Sequence, residues 1–99
     1  MKKEKYPKRY DGCRIKRKDL PRYNIHIGDR VEASVNCQEE DEEGNEYFTE
    51  NSLKPGKYEG IYIGTVRFLT PDMPIFWIPD LNQAICGFEC WWKKKEGTA

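Results

Sequence analysis

Tyr58-Glu59-Gly60-Ile61-Tyr62-Ile63-Gly64-Thr65-Val66-Arg67-Phe68-Leu69 is the stretch whose reading decides the fold. Side chains alternate across a strand with a period of two, which puts Tyr58, Tyr62, Val66 and Phe68 on one face and Ile61, Ile63 and Leu69 on the other. The stretch therefore predicts one long strand with two apolar faces. Gly60 and Gly64 lie inside it, and glycine within a strand marks a bulge or a sharp bend. A bend here lets one strand serve both halves of a small barrel.

Upstream, Ile25 and Ile27 alternate with Asn24 and His26, and Gly28-Asp29 supplies a turn. Val31, Ala33, Val35 and Cys37 then share one face of a half-buried strand over residues 30–37. Downstream, Thr70-Pro71-Asp72-Met73 reads as a turn, Ile75–Ile78 as a short strand between Pro74 and Pro79, and Asp80–Gln83 as a further turn. Ala84 to Trp92 reads as one last strand with Cys86, Phe88, Cys90 and Trp92 on a common face. Four or five antiparallel strands result, and closure into a barrel would protect the edges of so small a sheet. The 99 residues fit one domain, divided into an arm (1–22), a β domain (23–92) with an acidic loop at 38–46, and a frayed basic tail (93–99).

Charge is segregated although the net charge is zero. Residues 1–22 hold ten basic side chains against three acidic ones, a charge of +7. Residues 39–50 hold seven acidic side chains and no basic one, a charge of −7. Neither block can be buried without a partner, so both predict solvated arms or interaction surfaces. Pro7, Gly12 and Pro21 interrupt the basic block, which shows no apolar period and is expected to add few apolar side chains to the core. No run approaches the roughly 18 apolar residues of a spanning helix, and no apolar stretch follows the first charges, so a cytoplasmic protein with reduced thiols is expected.

The run Gly28-Asp29-Arg30-Val31-Glu32-Ala33, followed after an insert by Gly60–Val66 with its Gly64-Thr65-Val66, resembles SH3-like barrels of the tudor and KOW kind. In those families a Gly-Asp-x-Val strand precedes a Gly-Thr-Val strand. The similarity spans residues 28–92 and implies a mainly β fold: a small SH3-like antiparallel barrel with a basic arm and a long acidic loop. The acidic insert departs from the family pattern.

Each candidate site in the sequence also has a simpler reading. Cys86 and Cys90, with Cys13, Cys37 or His26, have the chemistry for a zinc-binding structural domain. On a regular strand, however, about 13–14 Å would separate the two Cys α-carbons, too far for one tetrahedral ion. Glu39 to Glu50 matches the oxygen spacing of a calcium loop, but its flanks read as strands and a solvated loop is the simpler account. His26 stands in no nucleophile motif, and no phosphate loop is present, so no catalytic residue, metal site or cofactor is assigned.

Trp91 and Trp92 are adjacent, so a regular strand sends them to opposite faces and brings one to the surface. The expected function is a non-enzymatic module that binds a protein with a basic surface through Glu39, Glu40, Asp41, Glu42, Glu43, Trp91 and Trp92. Small charge-patterned proteins of this character resemble phage-encoded accessory proteins, anti-CRISPR inhibitors among them. The alternative is a nucleic-acid-binding module using Lys8, Arg9, Arg14, Lys16, Arg17, Lys18 and Arg22. Self-association of the arm with the loop is the third possibility. No membrane partner is expected.

Overall fold

A computed structural model describes residues 14–40, 42–48, 51–68 and 70–95. The chain is mainly β. Its strands are β1 (Arg30–Val35), β2 (Gln38–Glu40), β3 (Glu46–Phe48), β4 (Gly56–Phe68), β5 (Thr70–Ile78), β6 (Gln83–Cys86) and β7 (Trp91–Lys94). Five of them form one antiparallel sheet in the order β6-β5-β4-β1-β7, and β2 pairs only with β3. Strands β6 and β7 end the sheet and do not pair with each other, so the ladder is open where closure was expected. The edge at β6 is blunted instead: the Cys86 N–H donates to the Glu89 carboxylate at 3.0 Å, and the Glu89 N–H donates to the Cys86 carbonyl at 2.9 Å.

β4 carries a bulge at Gly64, as that glycine predicts, while Gly60 stays in regular register opposite Val31. The register of β4 against β5 shifts between Tyr62 and Gly64. Tyr62 packs with Val31, Ala33, Val35, Phe76, Ile78 and Ile85, while Ile63 and Val66 pack with Met73, Ile75, Ala84 and Cys86. Val66 thus lies with Ile63 rather than with Tyr62, because one extra residue at the bulge inverts the alternation beyond it.

The first residues described are part of this packing, which corrects the expectation for the arm. Lys16 exchanges two backbone hydrogen bonds with Thr65, both 2.7 Å. Ile15 packs on the second cluster and Leu20 is buried in the first. The Tyr62 hydroxyl donates to the Lys18 carbonyl at 2.7 Å, and burial pushes this phenol up to about 12, so it remains a donor. Apolar residues at 15 and 20 in a basic run carry no period, yet each fills a place on the sheet.

Three further expectations change. Ala84–Trp92 is not one strand: the chain turns at Gly87–Cys90, which leaves Phe88 64% exposed at the tip. The tail does not fray from residue 93, since Lys93 and Lys94 pair with β1 and the Lys95 N–H donates to the Arg30 carbonyl at 2.9 Å. The expected turn at Thr70–Met73 is absorbed into β5, with Asp72 taking a positive φ of 59°. No described helix is long and apolar enough to cross a membrane.

Asp19 closes the turn between the first segment and β1. Its carboxylate accepts from the Ile27 N–H at 2.8 Å and lies 3.0 Å from His26 Nδ1. The His26 hydrogen bond, followed by that from Ile27, lowers its pKa below the ordinary 3.8. A lowered carboxylate pKa contributes stability that is complete above the unfolded value and is lost as pH falls through the folded one. Asp19→Asn should therefore flatten the loss of stability below about pH 4, measured as Tm against pH beside the parent. Equal acid limbs would remove Asp19 from this account.

Candidate functional site

Register places the two tryptophans. Ser34 pairs with Trp91 and Ala33 with Trp92, so the two side chains leave opposite faces of β7. Trp92 faces inward, 4.9 Å from the Phe76 ring and 5.7 Å from Tyr23. Trp91 takes the outer face, beside Ser34 and Lys57 in the same cross-strand row. That face is otherwise charged, with Arg30 and Lys95 on Glu59 and Lys93 on Glu32.

The acidic segment lies over Trp91. It forms a hairpin, β2–β3, with Glu39 opposite Tyr47 and Glu40 opposite Glu46. Gln38 Nε2 donates to the Glu46 carboxylate across it. Glu39, Glu40, Glu42 and Glu43 together with Trp91 and Lys93 line a cavity of about 470 Å³. Four of the five acidic residues singled out in the sequence therefore meet one of the two tryptophans. Asp41 lies outside the described residues, and Trp92 belongs to the core face rather than to the cavity.

Two devices hold the hairpin in place. Glu39 is drawn down to the sheet, where its side chain is 13% exposed and its carboxylate sits 3.2 Å from Lys57 Nζ. The same contact raises the pKa of Lys57. Glu39 thus anchors the hairpin, while Glu40, Glu42 and Glu43 are the exposed carboxylates at the mouth. At its base Asn36 adopts a left-handed φ of 51°, and its side chain meets the chain returning between β3 and β4. Its Nδ2 donates to the Leu53 carbonyl at 2.8 Å, and its Oδ1 accepts from the Asn51 N–H at 3.0 Å. Asn51 Nδ2 then donates to the Glu89 carbonyl at 2.9 Å and ties the base to the β6–β7 turn. The sequence offers no pattern for Lys57, Asn36 or Asn51, because each acts through a partner at least 15 residues away.

The basic residues of the alternative lie elsewhere. Lys8 and Arg9 are outside the described residues. Arg14, Lys16, Arg17 and Lys18 are exposed around the far half of β4, where Lys18 pairs with Asp72 at 2.9 Å. Arg22 stacks over the Tyr23 ring at 4.8 Å.

The cysteines are also separated in role. Cys86 and Cys90 are buried at the β6–β7 turn, so the strand spacing used against a shared metal does not apply. Cys90 Sγ instead points to the Cys86 carbonyl at 3.7 Å, and burial, then Cys86, pushes its thiol up to about 12. Among the described residues no three His, Cys, Asp or Glu side chains are grouped to hold a metal. Cys13 lies outside them.

No protein-family model matches the chain, and comparison with curated proteins and with solved structures finds no match either.

Proposed function

We propose that this chain is a non-enzymatic interaction module whose acidic hairpin and Trp91 receive a basic segment of a partner protein. The observation that carries this reading is the cavity that sets Glu40, Glu42 and Glu43 around an indole wall. A Lys or Arg side chain brings a cation for the carboxylates and an alkyl stem for the ring, and Trp is the best aromatic partner for a cation. The hairpin is held by Lys57, Asn36 and Asn51, so little ordering entropy is spent on binding. A line of carboxylates of this kind stands in for nucleic-acid phosphates. This supports a role like that of a phage-encoded inhibitor, an anti-CRISPR for example, which occupies the basic groove of a nucleic-acid-binding complex. The scaffold is proposed to be SH3-like. The support is the chain order, in which β1 begins after Gly28-Asp29 and its antiparallel neighbour β4 carries Gly64-Thr65-Val66.

Nucleic acid remains the second reading, favoured by the exposed Arg14–Lys18 segment. The test is capture of partners from the native host's lysate, with and without nuclease, using the parent and a variant with Glu39, Glu40, Glu42 and Glu43 changed to Gln and Asp41 to Asn. A protein partner should survive nuclease and bind the variant roughly tenfold or more weakly, most visibly at low salt. Binding that disappears with nuclease and is unchanged in the variant would transfer the function to the basic segment.

A further inference from the structure

The two charged regions occupy opposite ends of one strand. The acidic hairpin is tied to β4 at Lys57, and the basic segment is tied to it at Thr65. Eight residues of strand separate these points, a distance of at most about 26 Å. Two backbone bonds of 2.7 Å fix Lys16 at Thr65, away from the Lys57 end of β4 that carries the hairpin. Arg67 adds to the basic end, flanking with Lys16 a notch of about 60 Å³.

We infer that a second copy of this chain is an occupant of the cavity: the Arg14–Arg17 segment of one molecule enters the Glu40, Glu42, Glu43 and Trp91 site of the next. The inference rests on the reading of that cavity as a receptor for basic segments and names one such segment. Because the donor and acceptor surfaces differ, the contact is head-to-tail, and a pair of molecules retains one unused end of each kind. Such a contact continues from copy to copy instead of stopping at a symmetric dimer. Both surfaces are exposed and charged, so the association should be weak, concentration-dependent and suppressed by salt, since the Debye length shrinks to about 3 Å at 1 M. It would also compete with any foreign basic partner and so reserve the site until that partner is present.

Sedimentation velocity over a range of concentrations at low salt tests it with the full chain. The parent should form species larger than a dimer that dissociate at high salt. Two variants, one with Glu40, Glu42 and Glu43 changed to Gln and one with Arg14, Lys16 and Arg17 changed to Gln, should each be monomeric with an unchanged far-UV spectrum. Mixed, they retain one live cavity and one live basic segment, and should give a heterodimer and nothing larger. A parent that is monomeric at every concentration overturns the inference, as does assembly that persists in either variant. A Lys/Arg-rich peptide titrated into the same samples separates the two proposals. Glu-dependent peptide binding by a monomeric parent leaves the cavity reading standing and removes only the second copy.

Discussion

Gly64→Ala is expected to destabilise the protein by about 3 kcal/mol or more, near the upper end for single substitutions. Gly64 has a φ of +140°, a conformation that a side chain tolerates poorly. A Cβ there would also meet the Lys16 carbonyl oxygen at 2.2 Å, and that atom is held in the bridge to Thr65. Relief requires the first segment to leave the sheet, which breaks the bridge and disturbs Leu20. Gly28 provides the comparison, because its φ is +97° but nothing lies within 4 Å of its would-be Cβ. Gly28→Ala should therefore cost only the backbone strain, about 1 kcal/mol. Urea unfolding of both variants checks the contrast, and equal losses would show that the close approach at Gly64 has no energetic consequence.

Removal of residues 1–22 should be far more damaging than removal of residues 1–13, because only the longer deletion takes away the contacts made by residues 15–20. The longer deletion takes away the buried Leu20 side chain, worth roughly 2 kcal/mol of apolar burial. It also leaves the buried Tyr62 hydroxyl without the Lys18 carbonyl, at a cost of about 1–3 kcal/mol. Exposure of Ile15's packing site on the second cluster adds to both. Together these approach the roughly 5–15 kcal/mol that separates a typical folded domain from its unfolded chain. The expected result is a Tm for the longer deletion far below that of the shorter one, or no cooperative thermal transition at all. Two deletions of equal stability would show that residues 14–22 only decorate the sheet.

These effects mark where the sequence was legible. Val31, Ala33 and Val35 announce β1 by strict alternation, and all three are fully buried. Gly64 announces the bulge in β4, whereas Gly60 sits in regular register against Val31, and the adjacency of Trp91 and Trp92 announces their opposite faces. The rest depends on tertiary partners. Ile15 and Leu20 are solitary apolar residues in a charged run, so periodicity says nothing of them until Thr65 and Tyr62 fold beside them. Cys86, Phe88, Cys90 and Trp92 alternate like a strand, yet Glu89 hydrogen-bonds back to Cys86 and turns the chain there. At the candidate site the density of carboxylates was plain in the sequence, but the division of labour was not. Glu39 is the anchor only because Lys57, 18 residues later, lies beneath the hairpin.

Paired titrations of a Lys/Arg-rich peptide and of a DNA duplex of matched charge, into the parent and into the variant neutralised at residues 39–43, test the central claim most directly. The account predicts that the parent binds the peptide, that the variant binds it roughly tenfold or more weakly at low salt, and that the loss shrinks as salt rises. DNA affinity should stay level or rise once the repelling carboxylates are gone. Peptide binding unchanged by the substitutions, or DNA binding that falls with them, would contradict the claim that the acidic hairpin and Trp91 form a receptor for a basic protein segment.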